Sequence, residues 1–195
     1  EFYFFDCHSC HRRIYDQADA VKTGANNPGR PIPEGMPPYN DENMIMLSAA
    51  ARVTAPASAG QFDKASKDFH AALALDRSSA IAAARRLSIA ADNLADNFAS
   101  GSFGSSQAFA IIETIATEAI AARLTDYEGS VQAVMAVDTL LSALVRSGNI
   151  TQGAAAGIRA NVNRAYNAVR DPNAYRPSEF RSSIGAAASA VRSLR

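Results

Sequence analysis

The sequence lacks tryptophan, and aromatic residues make up only 8% of its 195 positions. It lacks a net charge: 19 lysines and arginines balance 19 acidic residues. A neutral chain of this kind is not a strongly basic nucleic-acid binder. It contains no uninterrupted apolar run of about 18 residues or more, so no membrane span is visible. The apolar share of 48% excludes a charged, disordered tail. Cysteine and histidine are scarce, at two and three residues. What the chain has instead is alanine, 41 residues or about a fifth of the whole. Alanine is the best helix former, and its small side chain lets helices approach closely. Glycine and proline gather in the first third and at a few later breaks. The expected fold is all-α, with a loop-rich N-terminal segment over 1–55 and an Ala-rich helical bundle over 56–195.

The neutral total conceals a polarity. From Arg146 onward there are eight arginines and two acids, a balance of +6; the first 145 residues carry 11 basic and 17 acidic residues, a balance of −6. Arginine outnumbers lysine by 16 to 3. Such a distribution reads either as ordinary solvated helix faces or as a polar molecule that packs end to end with neighbours.

Both cysteines fall in one pentapeptide, Cys7-His8-Ser9-Cys10-His11. This C-x-x-C-H pattern is the signature of c-type haem attachment. Two thiols two residues apart reach the two vinyl groups on one porphyrin edge, and His11 follows as the proximal iron ligand. The motif opens a predicted helix over 12–22. Other readings use the same residues. A zinc site would draw on Cys7, Cys10, His11 and either His8 or His70. A redox C-x-x-C pair calls for a βαβ context, and no strands are predicted. A plain disulfide would have to span only two intervening residues.

Over residues 4 to 53 the segment resembles the c-type cytochromes. Gly35-Met36-Pro37-Pro38-Tyr39 is similar to the stretch that supplies the sixth iron ligand in the class I members, with Asn40-Asp41-Glu42-Asn43 opening a helix to about Val53. The resemblance implies one haem c per chain, held by Cys7 and Cys10, with His11 and Met36 as axial ligands. His70, on a predicted helix over 61–75, is the alternative sixth ligand. His8 is a further one, directed at a neighbouring chain's haem, and Met44, Met46 or an open site complete the set. Arg12, Arg13 and Arg30 are candidates to pair with haem propionates. Phe4, Tyr15 and Tyr39 are candidates for pocket walls, and Met44, Ile45, Leu47 and Ala51 for covering a porphyrin face. Only 24 residues separate His11 from Met36, so later helices are expected to complete the pocket. The loop at 24–38 is rich in proline, which lowers the entropy cost of wrapping a flat cofactor.

Beyond Pro56 the breaks predict six helices, over 61–75, 78–100, 106–124, 129–147, 151–170 and 177–194. A weak repeat of about 45 residues relates 91–108 to 137–153 and predicts three αα-hairpins, over 60–101, 104–148 and 150–195. The last two hairpins faintly resemble helical modules of secreted bacterial surface proteins. No nucleophile elbow, phosphate loop, metal cluster or Glu-x-x-His motif occurs there, and Asp92, Asp96, Glu113 and Asp138 are expected to be solvated.

The expected function is therefore electron transfer by a monohaem c-type cytochrome, not catalysis. The helical domain would shield the haem and dock a redox partner protein or a further subunit. A structural subunit of an extracellular or cell-surface assembly is the alternative. A haem enzyme or gas sensor with an open iron site is a third reading. No partner among nucleic acids is expected, and a homo-oligomer or larger complex is. Because the family's haem is attached outside the cytoplasm, the resemblance implies a periplasmic or extracellular protein whose signal peptide has been removed before Glu1.

Overall fold

The computed structural model describes residues 39–121 and 127–194. The C-x-x-C-H motif with Cys7, His8, Cys10 and His11, the residues Arg12, Arg13, Arg30 and Met36, and the helix expected over 12–22 lie outside the described residues. Within them the chain forms seven α-helices, an all-α bundle as composition predicts. These are α1 (Glu42–Thr54), α2 (Pro56–Leu73), α3 (Arg77–Ser100), α4 (Ser105–Ile120), α5 (Tyr127–Arg146), α6 (Gln152–Ala168) and α7 (Pro177–Arg192).

The helix ends follow local chemistry. Asp76 accepts from the Ser79 backbone N–H at 2.9 Å and caps α3. Thr151 accepts from the Ala154 N–H at 3.2 Å and caps α6. Gly148 has φ +74°, the left-handed region that glycine enters without penalty, and it closes α5. There the Asn149 N–H reaches back to the Leu144 carbonyl at 2.9 Å. Helix α2 begins five residues before the predicted start. Pro56 occupies its first turn, where a missing N–H costs nothing.

Sequential helices pack as hairpins: α2 on α3, α4 on α5, α6 on α7. The interfaces between hairpins differ. Helix α5 packs on α6, whereas α3 and α4 share no extended interface. The stretches related by the 45-residue repeat therefore occupy different environments.

Two cores result. The larger gathers α4 to α7 around Ile112, Ile115, Val134, Val137, Leu141, Leu144, Ile158 and Phe180. These positions recur three and four residues apart, so each helix turns one stripe inward. Alanines at 133, 155, 165 and 187 are fully buried there, and they let the helices approach closely. Helices α4 and α7 run antiparallel: Gly185 lies against Ile120, and two turns on Arg192 pairs with Glu113 at 3.6 Å. The smaller core joins α2 and α3 through Phe62, Phe69, Leu87 and Leu94.

Helix α1 belongs to both. Ile45 and Ala49 enter the larger core, and Met44 and Ala51 enter the smaller. Leu47 faces solvent at 38% exposure. The four residues expected to cover a porphyrin face are thus divided between two cores and solvent. Helix α5 is the one described helix long and apolar enough to cross a membrane, and its apolar stripe is the one buried in the larger core.

Candidate functional site

The site is built where the chain enters the bundle. Tyr39, Asn40 and Asp41 precede α1, and Phe69 and His70 stand near the end of α2. Asn40 Oδ1 accepts from the Glu42 N–H at 3.3 Å. That contact does the work expected of a cap, while the neighbouring Asp41 carboxylate turns inward. Its Oδ2 lies 2.7 Å from His70 Nε2, and both side chains are almost wholly buried, at 1% and 2% exposure. With an ionised carboxylate, Nε2 carries the proton and donates it, a charge-assisted bond in a low-dielectric setting. The Tyr39 ring meets Phe69 edge-on at 5.0 Å between centroids and His70 at 6.0 Å. Phe69 and His70 are adjacent on α2, with ring centroids 6.2 Å apart. The result is a small aromatic enclosure with one buried carboxylate–imidazole pair.

Two sequence candidates, Tyr39 and His70, are brought together here from positions 31 residues apart. Tyr39 packs edge-on against Phe69 and His70. His70 Nε2 is engaged with Asp41. Met44 accepts a long contact from Ser66 Oγ at 3.8 Å, and Met46 packs against the larger core. Among the described residues no group of three or more His, Cys, Asp or Glu side chains stands ready for a metal ion.

A second polar cluster joins the cores. Arg52 on α1 donates to Asp63 Oδ2 on α2 from Nε (3.1 Å) and Nη2 (2.7 Å), a two-pronged contact. Its Nη1 meets Glu118 on α4. Ser48 donates to the other oxygen of Asp63 at 2.5 Å. One guanidinium thus ties α1, α2 and α4. Sequence reasoning missed this cluster, yet a signal was present. Arg52 follows Ile45 and Ala49 at the seventh and third positions, and Glu118 follows Ile111 and Ile115 in the same way. A charge on an apolar stripe calls for a buried partner.

The charge polarity also finds its place. The acidic hairpin α4–α5 packs against the basic hairpin α6–α7. Arg159 pairs with Asp138 at 3.2 Å and Arg192 with Glu113 at 3.6 Å. Glu113 and Asp138, expected to be solvated, are interhelical ion-pair partners; Asp92 and Asp96 are exposed as expected. At the far end of this region Ser130 Oγ and the Tyr175 hydroxyl share a 2.7 Å hydrogen bond beneath Tyr127. No protein-family model matches the chain, and no curated protein or solved structure is significantly similar to it.

Proposed function

We propose that this chain is an electron carrier that holds one covalently attached haem c. The observation that carries the reading is the pentapeptide Cys7-His8-Ser9-Cys10-His11, which contains both cysteines of the chain and two of its three histidines. The donor chemistry fits the group. Cys7 and Cys10 supply the two thioether links, His11 an imidazole, and Met36 a thioether sulfur that favours a raised potential. When bound, the haem supplies reversible one-electron chemistry at iron. The protein's own task is then to hold the group, limit water access and set its distance to a partner. Tyr39, which follows the Met-Pro-Pro segment in sequence, and Phe69, on which its ring packs, offer apolar surface for that purpose. The bundle serves as the docking body for a redox partner, in the exported compartment where such haem attachment takes place.

The test is a visible spectrum with a pyridine haemochrome assay on protein produced with a cytochrome c maturation system. The expected result is one haem per chain that resists acid–acetone extraction, and replacing Cys7 and Cys10 by alanine should abolish it. A colourless protein under those conditions refutes the reading. Carbon monoxide uptake by the reduced protein at neutral pH separates a carrier, which should not bind it, from a sensor or oxygen-using enzyme, which should.

A further inference from the structure

We infer that the solvent face of α3 is a docking surface for a second copy of this chain, whose own α3 lies across it antiparallel. The inference is independent of the haem reading above. Its first ground is a face that nothing else in the bundle covers. Helix α3 runs 24 residues, about 36 Å at about 1.5 Å per residue, and its extended contacts are with α2 alone. Ala83, Leu87, Ala90 and Leu94 serve that contact. On the opposite side Ala82, Arg85, Ile89, Asp92, Asp96 and Ala99 recur at alternating steps of three and four residues, and all are exposed. That spacing is the seam of a two-stranded helical pair. Ile89 is 61% exposed near its centre and Ile81 is 42% exposed beside it. Ala82 and Ala99, toward the two ends, let a second helix approach closely.

The second ground is charge. The basic side chains of α3, Arg77, Arg85 and Arg86, precede Ile89, and its acidic ones, Asp92 and Asp96, follow it. Among the described residues none of these side chains has an ion-pair partner. The order is unfavourable for the helix on its own. Arg77 sits in the first turn, at the positive end of the helix dipole, and the acids lie toward the negative end. Asp92 and Asp96, four residues apart, repel each other on one face. An antiparallel copy offsets each of these effects. With the two-fold axis between Ile89 and Asp92, Arg85 faces the partner's Asp96, and Asp96 faces the partner's Arg85. Ala82 then meets the partner's Ala99, the two Ile89 side chains flank the axis, and the helix dipoles oppose. A parallel copy would set Arg85 against the partner's Arg85 and acid against acid. The charges thus select the antiparallel, two-fold arrangement. A single helix pair lies at the low end of specific interface sizes, so the dimer is a reversible one.

The experiment is sedimentation of the full chain over a concentration series at low and at high salt. The parent should show a monomer–dimer equilibrium that salt weakens. Ile89→Glu should abolish it. Arg85→Glu, and the double change Asp92→Arg with Asp96→Arg, should each weaken self-association at least about tenfold, or about 1.4 kcal/mol. All these positions are exposed, and circular dichroism should show the parent's helix content in every variant. Mixed in equal amounts, the two charge variants should pair with each other, because an acidic seam then faces a basic one. A parent that stays monomeric throughout overturns the inference and leaves the face to a different partner. A dimer indifferent to Ile89→Glu places the contact on another surface and overturns it too. A dimer that salt strengthens refutes the antiparallel charge pairing, as does failure of the two charge variants to associate when mixed.

Discussion

Arg52 is the side chain whose loss should separate the two cores. It is one-third exposed, whereas the Glu118 side chain it meets is 11% exposed and Asp63 28%. Replacing Arg52 by Met preserves the aliphatic stem that packs along α1 and removes the guanidinium. Breaking a fully buried pair costs about 3–5 kcal/mol, and an exposed one about 0.2–1 kcal/mol. The intermediate exposure places Arg52→Met at about 2 kcal/mol. For a chain of this size that is a fall in Tm of about 4–8 °C. The cause should be mainly Glu118, left in an apolar stripe without its cation. Glu118→Gln on the Arg52→Met background should therefore recover part of the loss, with a coupling energy of about 1 kcal/mol in the double-mutant cycle. Hydrogen exchange gives an independent reading. The hairpin α2–α3 joins the rest of the bundle through α1, so its amides should lose protection more than those of α6–α7. Equal loss in both hairpins, or single-mutant effects that simply add, would refute the claim that one guanidinium links the cores.

Three further outcomes are expected. Asp76 receives hydrogen bonds from the Ser78 hydroxyl (2.5 Å) and from the Ser79 hydroxyl (2.6 Å) and backbone N–H (2.9 Å), and these hold its carboxyl far below the usual range. Its contribution is present above the unfolded-state pKa of about 3.9 and fades as pH falls below that value. Thermal melts should therefore show the parent more stable than Asp76→Ala at pH 7, with the gap narrowing steadily from about pH 4 toward pH 2; a gap independent of pH refutes it. Leu141 is fully buried in the larger core, so Leu141→Ala should cost about 2–5 kcal/mol by denaturant titration, with a loss under about 1 kcal/mol counting against the packing. Gly157 lies inside α6 with open space where a Cβ would stand, so Gly157→Ala should stabilise by about 0.5–1 kcal/mol, and a lowered Tm would refute the assignment of that space.

The helices were legible because their signals are local. Thr151 and Gly148 mark the turn between α5 and α6, and Asp76 marks the start of α3. The apolar residues Ile111, Ile112, Ile115 and Ala119 of α4 and Val131, Val134, Val137, Leu140, Leu141 and Leu144 of α5 recur at helical spacing, and all are buried or half-buried. The start of α2 was misjudged because Pro56-Ala57-Ser58-Ala59-Gly60 reads as a loop by composition. Pro56 at the first turn and solvent-facing Gly60 are both compatible with helix. The Cys7–His11 pentapeptide stands out in the sequence because the chemistry proposed for it needs residues adjacent in the chain. The Asp41–His70 pair does not. Its members are 29 positions apart, and each alone reads as something ordinary, Asp41 as a helix cap and His70 as a lone histidine.

Helix α1 bears on how acidic and basic parts of the chain meet within one molecule. Its two apolar faces serve two cores, so it shows no single stripe and sequence periodicity assigned it one face only. That double use places Tyr39–Asp41, at the start of α1, beside the junction between the cores. Asp41 is tied to α2 through His70, and one helix-length later Arg52 ties α1 to α2 and α4. The acidic α4–α5 hairpin is then free to turn its charges toward the basic α6–α7 hairpin, where Asp138 and Glu113 meet Arg159 and Arg192. The opposite balances of −6 and +6 are thus partly neutralised within one molecule. Ion pairs of this exposure are each worth at most about 1 kcal/mol, so they set register between hairpins more than they stabilise them. If the polarity instead drove end-to-end assembly, sedimentation at low ionic strength should show association beyond a dimer that salt reverses. The internal pairing predicts no species larger than the α3 dimer at either ionic strength.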